Sequence, residues 1–408
     1  MTVHLRIRDR LHRIFSIESR TGERLSNVLR AHGVPLNAVV TKVNGEIVTE
    51  DIVLDEKISV DIDMVRFYDL NKILSVKTMP QQGGKEPVYI KEHISFDSGN
   101  ITRKRFPLDK KGVQETIERT FLEFVLENNL ISEGETIAVA FSGGKDSLAL
   151  LLLLERLKDK LPKHNLCAIT VAGWEDTASF EYAQQVCSLL RIHQTIVKPS
   201  DIEKVFGLNC SLFETLSKIE ASPDESIHTI YCLHQFMRRG VEECAKRLGS
   251  TTIALGLNLE DLFSSFLGAF TTGYDILDAP KRKIAGTTFI FPLFPLRKKE
   301  VSIYLKTTAE EFTNQGPTTA FDKGPASRGF YYYVSDMLQD IWPGIEQHVL
   351  EAFRRRSKEN ISFAVCKNCK TTHILQNKND ANEFCMVCRV LKRMNLLNQH
   401  CAGLRKRL

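Results

Sequence analysis

The chain has 408 residues, a net charge of +5, and a composition that is 43% hydrophobic and 26% charged. That length exceeds one ordinary domain, and the composition supplies a core and excludes a largely disordered polypeptide. The longest strongly apolar run, Leu148 to Leu154, falls far short of the roughly 20 residues that a membrane span needs. MTVHLRIRDR at the start alternates apolar and charged residues and has no apolar signal-peptide stretch. The expectation is a cytoplasmic protein with no membrane partner.

The ten cysteines are too sparse for a disulfide scaffold, and four of them form two tight pairs, which favours metal in a reducing compartment. Charge is uneven. From Phe353 to the end there are 13 Lys+Arg against 3 Asp+Glu, while the remainder carries a net −5. A basic end on a slightly acidic body points to a polyanion held by the C-terminal region.

Residues 1–70 read as a small domain. Thr2 to Arg8 and Phe15 to Ser19 have strand character, and Leu25, Val28 and Leu29 fall at helical spacing before Gly33. Val39 to Val43 and Glu46 to Val48 flank Asn44-Gly45, the strongest short hairpin signal, and Ile58 to Ile62 alternates again. This order resembles the β-grasp fold of the ThiS/MoaD sulfur carriers. Those carriers act through a terminal Gly-Gly, whereas Gly83-Gly84 is internal here and reads as a hinge. A docking or regulatory module is the expectation.

Residues 71–109 form a connector, with a small hairpin expected from Val88-Tyr89-Ile90 and His93 to Phe96. Residues 110–355 hold the main domain with a helical extension. Helical spacing runs from Gln114 to Asn128, strands are expected at Ile137 to Phe141, Cys167 to Ala172 and Thr252 to Gly256, and a helix at Leu148 to Leu157. Alternation of strand and helix implies an α/β fold with a parallel sheet.

Ser142-Gly143-Gly144-Lys145-Asp146-Ser147 joins the first of these strands to its helix. A glycine turn at a helix start presents backbone N–H groups at the positive end of the dipole, a ready phosphate site. Lys145 adds charge, Ser142 and Ser147 add hydroxyls, and Asp146 suits Mg²⁺. The loop is not a Walker motif. It resembles the SGGxDS loop of the PP-loop, or N-type, ATP pyrophosphatases, which cleave ATP between the α- and β-phosphates and adenylate a carbonyl oxygen.

Tyr231-Cys232-Leu233-His234 followed by Arg238-Arg239-Gly240 is similar to the CxxCxxxRR helix of the TtcA/TtuA tRNA thiolases. Gly256-Leu257-Asn258-Leu259-Glu260-Asp261 resembles their GHNxDD segment, and Phe291 to Leu296 their RPL stretch. The resemblance implies ATP contacts at Ser142 to Ser147, Val171, Ala172, Gly256 and Asp261, with Arg238 near the substrate or phosphates. It implies ATP-dependent 2-thiolation of a tRNA pyrimidine, with Asp146 and Arg238 as catalytic residues and a sulfur carrier or persulfide as donor; Cys232, one place out of register with the family's cysteines, is the candidate catalytic thiol of this chain. Tyr231, His234 and Gly316 occupy the positions of the family's three cluster cysteines, so no iron–sulfur cluster is expected there. Cys232, beside two arginines, is either a sulfur relay or a small core residue. A homodimer is compatible with this reading. The alternatives are the same chemistry on another acceptor, and a tRNA-binding scaffold without catalysis.

Residues 356–408 carry Cys366, Cys369, Cys385 and Cys388, whose spacing suits a structural Zn²⁺ site. Arg354-Arg355-Arg356, Lys367, Lys370, Arg389, Lys392-Arg393 and Arg405-Lys406-Arg407 surround it, a sensible clamp for an RNA backbone. Phe330 to Tyr333 could stack on bases but read better as core.

Overall fold

The computed structural model describes residues 2–8, 14–32, 34–48, 51–65, 89–97, 100–108, 110–173, 177–272, 279–284, 286–309, 312, 326–341, 345–346, 348–350, 362–375 and 383–398. Gly33, Gly83-Gly84, Gly316, the 354–356 arginines, Cys401 and the 405–407 basic run lie outside them.

In chain order the elements are β1 (Thr2–Arg8), β2 (Ile14–Arg20), α1 (Leu25–Ala31), β3 (Val39–Val43), β4 (Glu46–Val48), β5 (Val60–Met64), β6 (Tyr89–Asp97), β7 (Asn100–Leu108) and α2 (Lys110–Glu127). Next come β8 (Glu135–Ala140), α3 (Lys145–Arg156), β9 (His164–Val171), α4 (Thr177–Leu189), β10 (His193–Val197), α5 (Pro199–Phe206), α6 (Leu212–Ala221) and α7 (Thr229–Arg247). β11 (Thr252–Leu255), α8 (Leu259–Thr272), β12 (Lys281–Ile284), β13 (Thr287–Ile290), α9 (Lys298–Thr308), α10 (Ala326–Ile341), β14 (Ser362–Val365), β15 (Thr372–Leu375) and α11 (Met386–Arg393) complete them.

Packing divides the chain into two units. One comprises residues 1–124, 257–276 and 293–353, the other 125–256, 277–292 and 354–408.

In the first unit a five-stranded sheet has the order β2-β1-β5-β3-β4. β1 pairs antiparallel with β2 and parallel with β5, so two hairpins flank a central parallel pair. Leu5, Ile7, Phe15, Ile17, Leu25, Leu29, Val39 and Ile62 close the core beneath α1. Asn44 and Gly45 both take positive φ, at 52° and 86°, as the Asn-Gly turn requires. The fifth strand starts later than expected because Lys57 N–H donates to Asp55 Oδ1 at 3.0 Å and Ile58 N–H to the Asp55 carbonyl at 3.1 Å, which holds Ile58 in a turn. The connector hairpin differs too. Tyr89 to Phe96 is one strand, β6, and its partner is β7.

Lys306 of α9 ties this sheet to the unit's helices, 2.6 Å from Asp63 on β5. Lys42 and Arg8 also face Asp63, at 3.4 and 3.8 Å. Burial alone would raise the Asp63 pKa, but Lys306, Lys42 and Arg8 together hold it below the usual carboxylate range.

The second unit is built on a six-stranded sheet of order β10-β9-β8-β11-β13-β12, parallel except for β12 at its edge. β10, β12 and β13 were not foreseen. Strand order reverses between β8 and β11, and a ligand crevice in such sheets lies beyond the carboxyl ends at that reversal. α3 is apolar all round, with Leu148 to Leu154 buried, as befits an interior helix.

Candidate functional site

β8 and β11 lie side by side, with Ala140 opposite Leu255. Each therefore delivers its following loop to the same end of the sheet. After β8, Gly143 turns the chain with φ +82° and Gly144 caps α3. The loop braces itself: Gly144 N–H donates to Ser142 Oγ at 3.2 Å, Ser147 Oγ donates to the Gly144 carbonyl at 2.9 Å, and Ser142 N–H donates to Ser147 Oγ at 3.3 Å. The serine hydroxyls, expected as phosphate donors, thus shape the turn from within. The N–H end of α3 and Lys145 favour an anion here, while Asp146 in the same first turn suits a cation that accompanies it.

Gly256, directly after β11, presses against this loop. A Cβ there would sit 2.9 Å from Ser147 N and Cα and 3.0 Å from Asp146 C. Only glycine fits that approach. Val171 ends β9 next to β8, and Ala172 directly after it donates its N–H to the Val197 carbonyl at 2.8 Å. Loop entry is held by Thr170, which sequence reading passed over. Its Oγ1 donates to the Phe141 carbonyl at 2.7 Å and accepts from Gln194 Nε2 at 2.7 Å. The signal was a polar residue inside the apolar β9 run.

Asp261 stands in the first unit. It forms a reciprocal cap on α8, accepting from Asn258 N–H at 3.3 Å while its own N–H donates to Asn258 Oδ1 at 3.1 Å. Its Oδ1 also takes Lys298 Nζ at 2.6 Å and Tyr332 Oη at 2.5 Å, with Lys298 4.8 Å over the Tyr332 ring. This carboxylate, expected at the nucleotide, is engaged in a buried cluster of its own. The same contact, with Tyr331 packed against Gly268, engages these half-buried tyrosines within the unit.

Two of the expected site residues lie on α7. Cys232 is fully buried, and burial pushes its thiol up to about 12, with Glu225 adding to the effect and Arg393 opposing it. It is a protonated core residue near neutral pH, not an activated thiolate. Arg238 donates to Thr371 Oγ1 and pairs with Glu242 at 3.3 Å, so it contacts the cysteine module. Arg239, 2% exposed, donates to the Cys369 carbonyl from Nε at 3.2 Å and Nη2 at 2.7 Å.

That module brings Cys366 and Cys369 from the β14–β15 turn to Cys385 and Cys388 at the start of α11. All four sulfurs are buried and lie within 4.8 Å of one another. Cys369 and Cys385 Sγ are 3.7 Å apart. Tetrahedral bonds of about 2.3 Å to one ion put sulfurs roughly 3.8 Å apart, so the group fits a single metal ion. Several of its basic residues are already engaged: Lys367 with Glu383, Lys392 4.9 Å over Phe384, and Arg393 bidentate on Glu225 at 2.5 and 2.8 Å.

Residues 113–318, half of the chain, match the PP-loop domain. The chain belongs to the PP-loop family. Within this PP-loop protein the matched segment contains the SGGKDS turn, Gly256 and Asp261. A relative named tRNA 2-thiolation protein NcsA, from Haloferax volcanii, is 24% identical over 311 residues, 68% of this chain and 90% of that protein. A tRNA-cytidine(32) 2-sulfurtransferase from Psychromonas ingrahamii is 24% identical over 214 residues, 51% of this chain. The chain spans 64% of the length of that enzyme. The fold is similar to a solved U34-tRNA thiolase NcsA from Methanococcus maripaludis, described with its [4Fe-4S] cluster, at TM-score 0.53 and 20% identity over 71% of this chain and 91% of that one. No helix among the described residues is long and apolar enough to cross a membrane.

Proposed function

We propose that this PP-loop protein is an ATP-dependent tRNA thiolase that replaces O2 of a tRNA pyrimidine with sulfur. The observation that carries the reading is the intact SGGKDS turn braced against Gly256 at the reversal of the sheet. The NcsA relative matches more of both chains than the cytidine enzyme does, and the solved NcsA of similar fold is a U34-tRNA thiolase, which together favour uridine.

ATP would lie with its phosphates on the turn. The α3 dipole, the loop amides and Lys145 stabilise charge developing on the departing pyrophosphate, and Asp146 would hold Mg²⁺. Val171 and Ala172 line the same end of the sheet for the nucleoside part. The pyrimidine carbonyl oxygen attacks the α-phosphorus and pyrophosphate leaves. A sulfur nucleophile then adds at C2 and AMP departs with the original oxygen. Cys232 is too deeply buried and too firmly protonated to relay that sulfur, so it comes from outside the chain, from a carrier whose acyl–sulfur bond water then cleaves or from a persulfide whose S–S bond an external thiol then reduces. We read the four-cysteine group as a structural Zn²⁺ site, because its sulfurs sit at single-ion spacing and a cubane would have to fit four irons between them. We read residues 1–70 as a β-grasp docking module, supported by its strand order, residues 71–109 as connector, 110–355 as catalytic and 356–408 as metal module.

A second reading has its own support. With Tyr231 and His234 in place of thiolates, the same adenylation would serve an acceptor other than tRNA. The test is incubation of reduced, anaerobic protein with MgATP, sulfide and bulk tRNA, followed by AMP assay and mass spectrometry of digested tRNA. A thiouridine peak lost in Asp146→Ala supports the thiolase. AMP without thionucleoside favours another acceptor. Absence of both products, with salt-sensitive tRNA binding retained, leaves a scaffold.

A further inference from the structure

The four-cysteine module is joined to α7 by contacts that begin at the ligands themselves. Arg239 grips the Cys369 carbonyl with both Nε and Nη2, and its guanidinium is fixed from behind by Glu242 and by Glu243 at 2.7 Å. Asn368, between the first two cysteines, donates from Nδ2 to Cys388 Sγ at 3.4 Å and to the Phe206 carbonyl at 2.8 Å. Arg238 reaches Thr371, whose carbonyl accepts from Cys366 N–H at 2.8 Å. Beyond the turn, Asn398 N–H donates to the Gly207 carbonyl at 2.8 Å and Asn209 N–H to the Leu396 carbonyl at 3.1 Å.

Four thiolates around one divalent ion carry a net charge of about −2. Buried, that charge needs donors close by. Glu242 and Glu243 meet the charge of Arg239, and what Arg239 gives the module is its planar fork, which fixes the carbonyl of a ligand residue in a way lysine's single ammonium cannot. Asn368 supplies a donor to a ligand sulfur. Residues that orient ligands in this way change metal affinity by about 10- to 100-fold when removed.

We propose that Arg238 and Arg239 form a latch, in which Arg239 is the positioning residue of the metal site and the bound ion in turn holds the middle of α7. The inference rests on the single-ion reading given above. The arginine pair is thereby a metal-linked clamp: with the ion in place, Cys369 is held and α7 is fixed, and with the ion gone the Cys369 carbonyl loses its position and α7 loosens.

The test uses the full-length protein. Metal content of the wild type is measured first by mass spectrometry, and one zinc per chain is expected. Zinc release is then followed with 4-(2-pyridylazo)resorcinol, and hydrogen exchange is mapped with and without chelation. Arg239→Gln is expected to release zinc about 10- to 100-fold faster, with Arg239→Lys only partly restored. Chelation is expected to lower protection in 234–247 while 145–156 of α3 stays protected. If Arg239→Gln does not fold, Asn368→Ala serves, with release at least several-fold faster. A wild type without stoichiometric metal overturns the single-ion reading and the latch with it. A zinc-loaded wild type whose variants release metal at the native rate, or whose α7 protection ignores chelation, overturns the latch alone.

Discussion

Gly256 lies so close to Ser147 that a Cβ would stand 2.9 Å from the serine's backbone N and Cα. Backbone cannot swing aside as a side-chain end can, so the first turn of α3 would have to move. Overpacking of this kind costs about 1–3 kcal/mol. Gly256→Ala is expected to weaken MgATP binding at least tenfold. Thermal unfolding would fall by only a few degrees. Titration calorimetry with a non-hydrolysable ATP analogue, alongside melting curves, checks it. Unchanged affinity would show that the loop tolerates the shift.

Thr170 makes a different demand on the same loop. Thr170→Val keeps shape but leaves the Phe141 carbonyl and Gln194 amide without their shared hydroxyl. An unsatisfied buried acceptor costs about 1–3 kcal/mol. We expect KM for ATP to rise about tenfold while tRNA affinity holds, and Thr170→Ser to recover most of the loss. Equal KM values for valine and threonine would remove Thr170 from the loop's support.

The turn was legible because its chemistry is local. A strand, two glycines and a helix occupy adjacent residues, and the two CxxC pairs declare their spacing. Asn258 and Asp261 stand three apart in the pattern of a reciprocal cap, a local signal that the reading of Asp261 as an ATP contact left unused. What remained hidden was the partner of each charged group. Nothing near Arg239 in sequence points to Cys369, 130 residues away. Cys232 looked activated because two arginines follow it on the helix, yet both are spent on Thr371, Cys369, Glu242 and Glu243. β10, β12 and β13 were missed because runs such as His193–Val197 and Lys281–Ile284 mix polar and apolar residues without clear alternation.

Cys232 gives a prediction in two parts. Cys232→Ala should keep thiolation within about twofold, since a thiol held near 12 is not a nucleophile at neutral pH. Its raised pKa also has a sign for stability. Between the reference value of 9.0 and about 12 the unfolded chain loses a proton that the folded chain keeps. Stability therefore falls as pH rises through that window, by at most about 1.4 kcal/mol per pH unit for each such group. Cys187 contributes in the same direction. Melting temperatures between pH 8 and 10.5 should drop less steeply in Cys232→Ala than in the wild type. Parallel slopes would mean the thiol is already open to solvent.

Asp63 carries the opposite sign. Its carboxylate is mostly buried and faces Lys306 at 2.6 Å, with Lys42 and Arg8 beyond. Lys306 is partly exposed and two other cations remain, so Lys306→Met should cost about 1 kcal/mol or less. Asp63→Asn removes the one anion among three cations and should cost about 1–3 kcal/mol. Because the folded pKa is depressed below 3.8, the carboxylate's contribution is present above that value and is lost as pH falls through the lower, folded one. The difference in unfolding free energy between wild type and Asp63→Asn, measured by urea titration, should be constant above pH 5 and shrink toward pH 2. A difference that does not change with pH would mean that the substitution acts by packing, and that the ion pair does not hold the N-terminal sheet to α9.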